Sequence, residues 1–121
     1  MIRNILFVAL GGATGSALRY LIPKWLDVNS SWGTLIVNVL GSLLIGILIG
    51  LVQKGVLTTE MKLLLVTGFC GGFTTFSTFA NEAFSMLKVG DILLMALYTG
   101  ASVVLGVLAV HIGLWISGLT E

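Results

Sequence analysis

From Trp32 to Gln53 the chain carries no charged residue. Crossing about 30 Å of hydrocarbon at 1.5 Å per helical residue takes about 20 apolar residues in a row. This run has that length, and a chain of 121 residues has no soluble core large enough to hide it. Three further stretches, about 4–22, 61–86 and 92–118, read the same way. The expected fold is therefore all-α, one unit over residues 1–121 with four transmembrane helices. Composition agrees: 57% of residues are hydrophobic and 9% charged, against about 25% charged in ordinary soluble domains. A net charge of +1 leaves neither a basic face for nucleic acid nor an acidic tail.

The segment ends carry their own signals. Met1-Ile2-Arg3-Asn4 followed by an apolar run has the form of a signal peptide, but the run continues to Leu18, which predicts a retained first helix. Pro23-Lys24 is expected to stop it. Trp25, Trp32 and Trp115 lie near span ends, where indoles favour the interface. The loops are short, so successive helices alternate in direction.

The third span is unlike the others. It contains Gly68-Phe69-Cys70-Gly71-Gly72-Phe73-Thr74-Thr75-Phe76-Ser77-Thr78-Phe79. Gly68, Gly71 and Gly72 weaken the helix, and hydroxyls at Thr74, Thr75, Ser77 and Thr78 follow. A break in mid-membrane survives only inside protein or beside a polar cavity, because every freed backbone group needs a partner. Broken spans recur where ions are held. Phe76 and Phe79 face one way if helix resumes after the break, either as packing residues or as an aromatic lining. Glu82, a turn further on, either marks the interface or sits in a vestibule. Cys70, the sole cysteine, excludes an intrachain disulfide and a multi-cysteine metal site, and reads as a small buried apolar residue.

Small and polar residues form stripes at spacing four. The first helix has Gly11 with Gly15 and Gly12 with Ser16, which let another helix approach closely. Arg19 follows, either snorkelling to the interface or anchoring a pore mouth. The second helix has Thr34, Asn38, Ser42, Gly46 and Gly50; the fourth has Tyr98, Ser102 and Gly106. Asn38 is interhelical glue or a donor lining an ion path. His111 stands alone near a helix end and has no metal-binding company.

With four spans, Arg3, Lys54 and Lys62 fall on one side of the membrane and Arg19, Lys24 and Lys88 on the other. The positive-inside bias is zero, so such a chain can insert both ways and opposite orientations can pair.

The span donors are hydroxyls and one amide: Asn38, Ser77, Thr78, Tyr98 and Ser102. Aromatic ring edges add partial positive charge. Such a lining suits a small anion without a full counter-charge that would trap it. Carbonyls freed at the break suit a hard cation instead. The residues thus imply an ion pathway of anionic character, with a structural cation possible. No phosphate-binding loop and no nucleophile with a nearby base is present, so no enzyme chemistry is expected.

The segment 68–79 resembles the signature of the Fluc/CrcB family of fluoride channels. Gly11-Gly12-Ala13-Thr14-Gly15-Ser16-Ala17-Leu18-Arg19-Tyr20 resembles that family's first-helix motif, and Thr34-Leu35-Ile36-Val37-Asn38-Val39-Leu40-Gly41-Ser42 its second. The resemblance implies a passive fluoride channel of the inner cell membrane of a prokaryote that lowers fluoride toxicity. It implies an antiparallel, dual-topology homodimer with two pores. It also implies a sodium ion, not transported, held at the dimer centre by the carbonyls of Gly71 and Thr74. Asn38 matches the pore asparagine, Phe76 and Phe79 the paired aromatics, and Ser77 and Thr78 the third-helix hydroxyls. Tyr98 and Ser102 match fourth-helix polar positions, and Glu82 the vestibule acid. Gly106 stands where a further hydroxyl is expected.

Two rival readings come from other classes. A small multidrug-type dual-topology exporter needs a membrane carboxylate, and Glu82, the only candidate, lies at the wrong end of the third span. A membrane assembly subunit explains the glycine faces but not the hydroxyls clustered at the break.

Overall fold

The computed structural model describes residues 1–118. Helix α1 spans Ile2–Leu26 and α2 spans Ser30–Gln53. The third span has two halves. Its upstream half, α3, begins as α-helix at Thr59–Lys62, widens to π-helix over Leu63–Cys70 and closes with a turn at Gly71–Phe73. Its downstream half, α4, is Phe76–Lys88, and α5 is Ile92–Ile116. The spans Ile2–Leu26, Ser30–Gln53, Thr59–Lys88 and Ile92–Ile116 are each long and apolar enough to cross a membrane.

Helix starts follow from local chemistry. Asn29, Thr58, Thr75 and Asp91 precede α2, α3, α4 and α5, and each accepts a backbone N–H from three residues on. A cap of this kind is worth about 1 kcal/mol. Helix α1 does not stop at Pro23 but runs through it to Leu26, where Asp27 adopts a left-handed conformation. The proline ring lies against Gly33 of α2: a Cβ there would come within 2.7 Å of the Pro23 Cβ. A helix interrupted by one missing N–H is held on by that contact.

Two close pairs build the subunit, α1 with α3 and α2 with α5. Glycine makes both possible. Added Cβ atoms on Gly11 and Gly15 would run into the backbone of Leu64, Phe69 and Phe73. On α3, Gly68 and Gly72 meet α1 backbone around Val8 and Gly12 in the same way. Between α2 and α5, Gly46 lies on the Val110 carbonyl and Gly113 on the Leu43 carbonyl. The core is thin: Val37 and Cys70 are the largest fully buried side chains, and most large apolar groups face outward, as lipid requires.

The break in the third span falls at Thr74–Thr75, both extended. The glycines expected to weaken the helix stay helical, with Gly71 at φ −63. Gly68 and Gly72 serve close packing on α1, Gly71 faces away from it, and the chain leaves the helix only where two threonines follow.

Candidate ion-permeation site

The break is held by side chains from other helices. Asn38 of α2 donates through Nδ2 to the Thr75 carbonyl at 3.0 Å and accepts the Thr75 N–H on Oδ1 at 2.8 Å. The interhelical bonding expected of Asn38 is present, since its amide braces the break, and the residue also lines a cavity beside it. Arg19 does not snorkel. Its Nε turns inward to the Gly72 carbonyl at 3.0 Å, and the Ser16 hydroxyl donates to the same oxygen at 3.4 Å. The Cys70 carbonyl takes the N–H and hydroxyl of Thr74. Among the described residues no donor reaches the carbonyls of Gly71 and Thr74.

A cavity of about 340 Å³ opens beside the break. It gathers Asn38, Thr74, Phe76, Phe79 and Ser102 from the expected site, with Ser42 and Thr75 added. The Phe76 and Phe79 ring centroids are 5.8 Å apart with planes tilted by 52°, and Phe79 lies 5.4 Å from Tyr98. Phe76 is 78% exposed and projects from the subunit. The Ser102 hydroxyl is buried with no hydrogen-bond partner.

The remaining expected residues sit elsewhere. Thr78 lines a second polar cavity of about 380 Å³, which also takes in Arg19, Ser16, Ser30 and Thr34. Thr75 links the two, since it lines both. Its hydroxyl contacts Thr78 Oγ1 at 3.2 Å and the exposed Ser77 Oγ at 3.4 Å. Glu82 and Tyr98 form a knot of their own. Glu82 is buried, accepts the Tyr98 hydroxyl at 3.0 Å on Oε1 and the Ser30 hydroxyl on Oε2. It ties α2, α4 and α5 together near the loop end of the bundle. Among the described residues no cluster of His, Cys, Asp or Glu could hold a metal.

Thr75, Ser16 and Ser30 are absent from the expected site. Thr75 had a readable signal, a hydroxyl just ahead of a resuming helix. The inward turn of Arg19 had none, because nothing in spacing says which way a long side chain bends.

A sequence profile described as "CrcB-like protein, Camphor Resistance (CrcB)" matches residues 6–114. The chain belongs to the CrcB family. It is 44% identical over 119 residues to the fluoride-specific ion channel FluC of Phocaeicola vulgatus, covering 95% of this chain and 98% of that one. Identity to the FluC of Agrobacterium fabrum is 48% over 116 residues, covering 92% and 93%. As a CrcB protein of bacterial type with four spanning helices, it is a multi-pass membrane protein.

Proposed function

We propose that this chain is a passive, fluoride-selective channel that releases cytoplasmic fluoride. The observation that carries the reading is the cavity beside the break. It brings an amide, hydroxyls and two aromatic rings together in an apolar membrane subunit, with no lysine or arginine among them. Hydroxyl and amide donors and positive ring edges can replace part of a small anion's hydration without trapping it. The pathway is formed by Asn38, Phe76, Phe79 and Ser102, with Ser77 and Thr78 continuing it, Tyr98 positioning Phe79, and Glu82 holding Tyr98.

Hydrogen fluoride enters cells as the neutral acid and ionises in the more neutral cytoplasm, where the anion is trapped. A selective pore lets the inside-negative potential drive it out without an energy source.

The working form is an antiparallel homodimer. Support comes from the zero charge bias, from the 78% exposure of Phe76, and from Gly71, whose missing side chain would meet nothing within its own subunit. A sodium ion fits the break. Among the described residues the carbonyls of Gly71 and Thr74 have no donor, and hard cations take oxygen ligands. The same two oxygens from each of two copies would hold it, as a fixed positive centre that joins the subunits.

Fluoride efflux from liposomes, with chloride as control, tests the reading on the unmodified protein and on Phe79→Ile. We expect fast fluoride-selective efflux, slowed by roughly tenfold or more in the variant, with the dimer intact by size-exclusion. Well-folded protein that moves no fluoride would return the exporter and assembly-subunit readings. Equal flux in both proteins would keep the channel and remove Phe79 from it.

A further inference from the structure

Serine and threonine in helices ordinarily bond back to a carbonyl one turn earlier. Thr14, Thr74 and Ser85 do so here, at 2.9, 2.8 and 2.9 Å. Ser42 and Ser102 do not: neither hydroxyl makes a hydrogen bond among the described residues, and Ser102 Oγ is buried outright. A polar group left without a partner at membrane depth is costly. Ser102 and the partly exposed Ser42 line one cavity, and both hydroxyls are free to donate to a ligand there.

The register puts them face to face. Asn38 and Ser42 are one turn apart on α2, and Ser102 and Gly106 are one turn apart on α5. The two helices are locked together further along by Gly46 and Gly113. At this level, a Cβ built on Gly106 would lie 3.6 Å from Ser42 Oγ. The position on α5 that lacks a side chain is therefore the one that the Ser42 hydroxyl faces. Ser42, Ser102 and Asn38 all line the same cavity.

We propose that Ser42 is a further anion-coordinating residue, and that its hydroxyl, with that of Ser102 across the α2–α5 seam, replaces hydration lost by fluoride beside Asn38. The proposal rests on the channel reading. Gly106 leaves room for this hydroxyl to come from α2, and a hydroxyl placed at 106 would reach the same space from α5.

The test is fluoride efflux from liposomes for the unmodified protein, Ser42→Ala, Ser42→Thr and the double variant Ser42→Ala with Gly106→Ser. Loss of one hydrogen bond to a charged group predicts that Ser42→Ala is slower by about tenfold, while Ser42→Thr retains flux. The double variant should recover most of the loss, which a mere packing role for Ser42 would not allow. Wild-type flux in Ser42→Ala overturns the proposal, and so does a slow Ser42→Ala that the added serine leaves slow. If Ser42→Ala does not fold, a Ser42→Thr protein that folds but does not conduct overturns it as well. An unmodified protein that moves no fluoride overturns the channel reading itself and the hydroxyl pair with it. Normal unmodified flux beside normal Ser42→Ala flux removes only the pair.

Discussion

The α1–α3 seam and the seam between α2 and the break use small and polar residues to opposite ends. Along α1–α3, Gly11 and Gly15 bring backbone against backbone, and nothing the size of a methyl group fits between. Beside the break, Asn38 reaches the chain with one amide and leaves a cavity of about 340 Å³. The first seam is closed by removing side chains. At the second, Gly41 packs on Thr74 while Asn38 one turn away bonds the extended chain, and a cavity is left beside them. Small residues at spacing four therefore mark close packing along α1–α3, while the cavity lies where a polar side chain reaches the break.

The sharpest way to break this comparison is to fill the closed seam. Gly15→Val would drive side-chain atoms into the Phe69 carbonyl and the Phe73 N–H. Overpacking against backbone that cannot retreat is expected to cost about 3 kcal/mol or more, read as loss of the monodisperse peak in detergent. Asn38→Ala removes both bonds to Thr75 and strands the peptide groups at the break. We expect about 2–3 kcal/mol of lost stability, seen as a lower melting temperature, together with loss of fluoride efflux.

Two adjacent glycines sharpen the contrast. Gly72 meets the Gly12 backbone and Ser16, so Gly72→Ala should cost about 1–2 kcal/mol. Gly71 is helical and meets nothing within the subunit. Gly71→Ala should therefore stabilise the isolated subunit by about 0.5–1 kcal/mol, yet weaken the proposed dimer and the sodium binding proposed for it. The two readouts are thermal unfolding and dimer dissociation on dilution in detergent with and without sodium. Equal effects of the two substitutions in both assays would remove Gly71 from the subunit interface.

Much of the fold was legible because membrane spans announce themselves by length and lack of charge. The charge-free run from Trp32 sits within α2, and the stripes on α2 and α5 meet at Ser42 and Gly106, a pairing that spacing within each helix did not give. The location of the break was less legible. Gly68, Gly71 and Gly72 looked like the weak point, but glycine in lipid is as much a packing device as a breaker, and Gly68 and Gly72 pack tightly on α1 within a stretch that stays helical. The π-helix at Leu63–Cys70 had no signal, since its extra residue per turn is decided by fit against α1. Of the site residues, Asn38, Phe76, Phe79 and Ser102 line one cavity, a grouping their residue types and the family resemblance offered but their spacing alone did not. The burial of Glu82 depended on Ser30 and Tyr98, partners remote in sequence that no local pattern reveals.

The break at Thr74–Thr75 also sets two helix ends nose to tail. Peptide dipoles sum to roughly half a negative charge at the carboxyl end of a helix and half a positive charge at the amino end. Helix α3 stops at Phe73 and α4 starts at Phe76, so opposite partial charges stand two residues apart. One interruption of one helix thus creates an electrical boundary within the membrane. The carbonyl side favours cations, as the inward-turned Arg19 on the Gly72 carbonyl already illustrates, and the amide side favours anions.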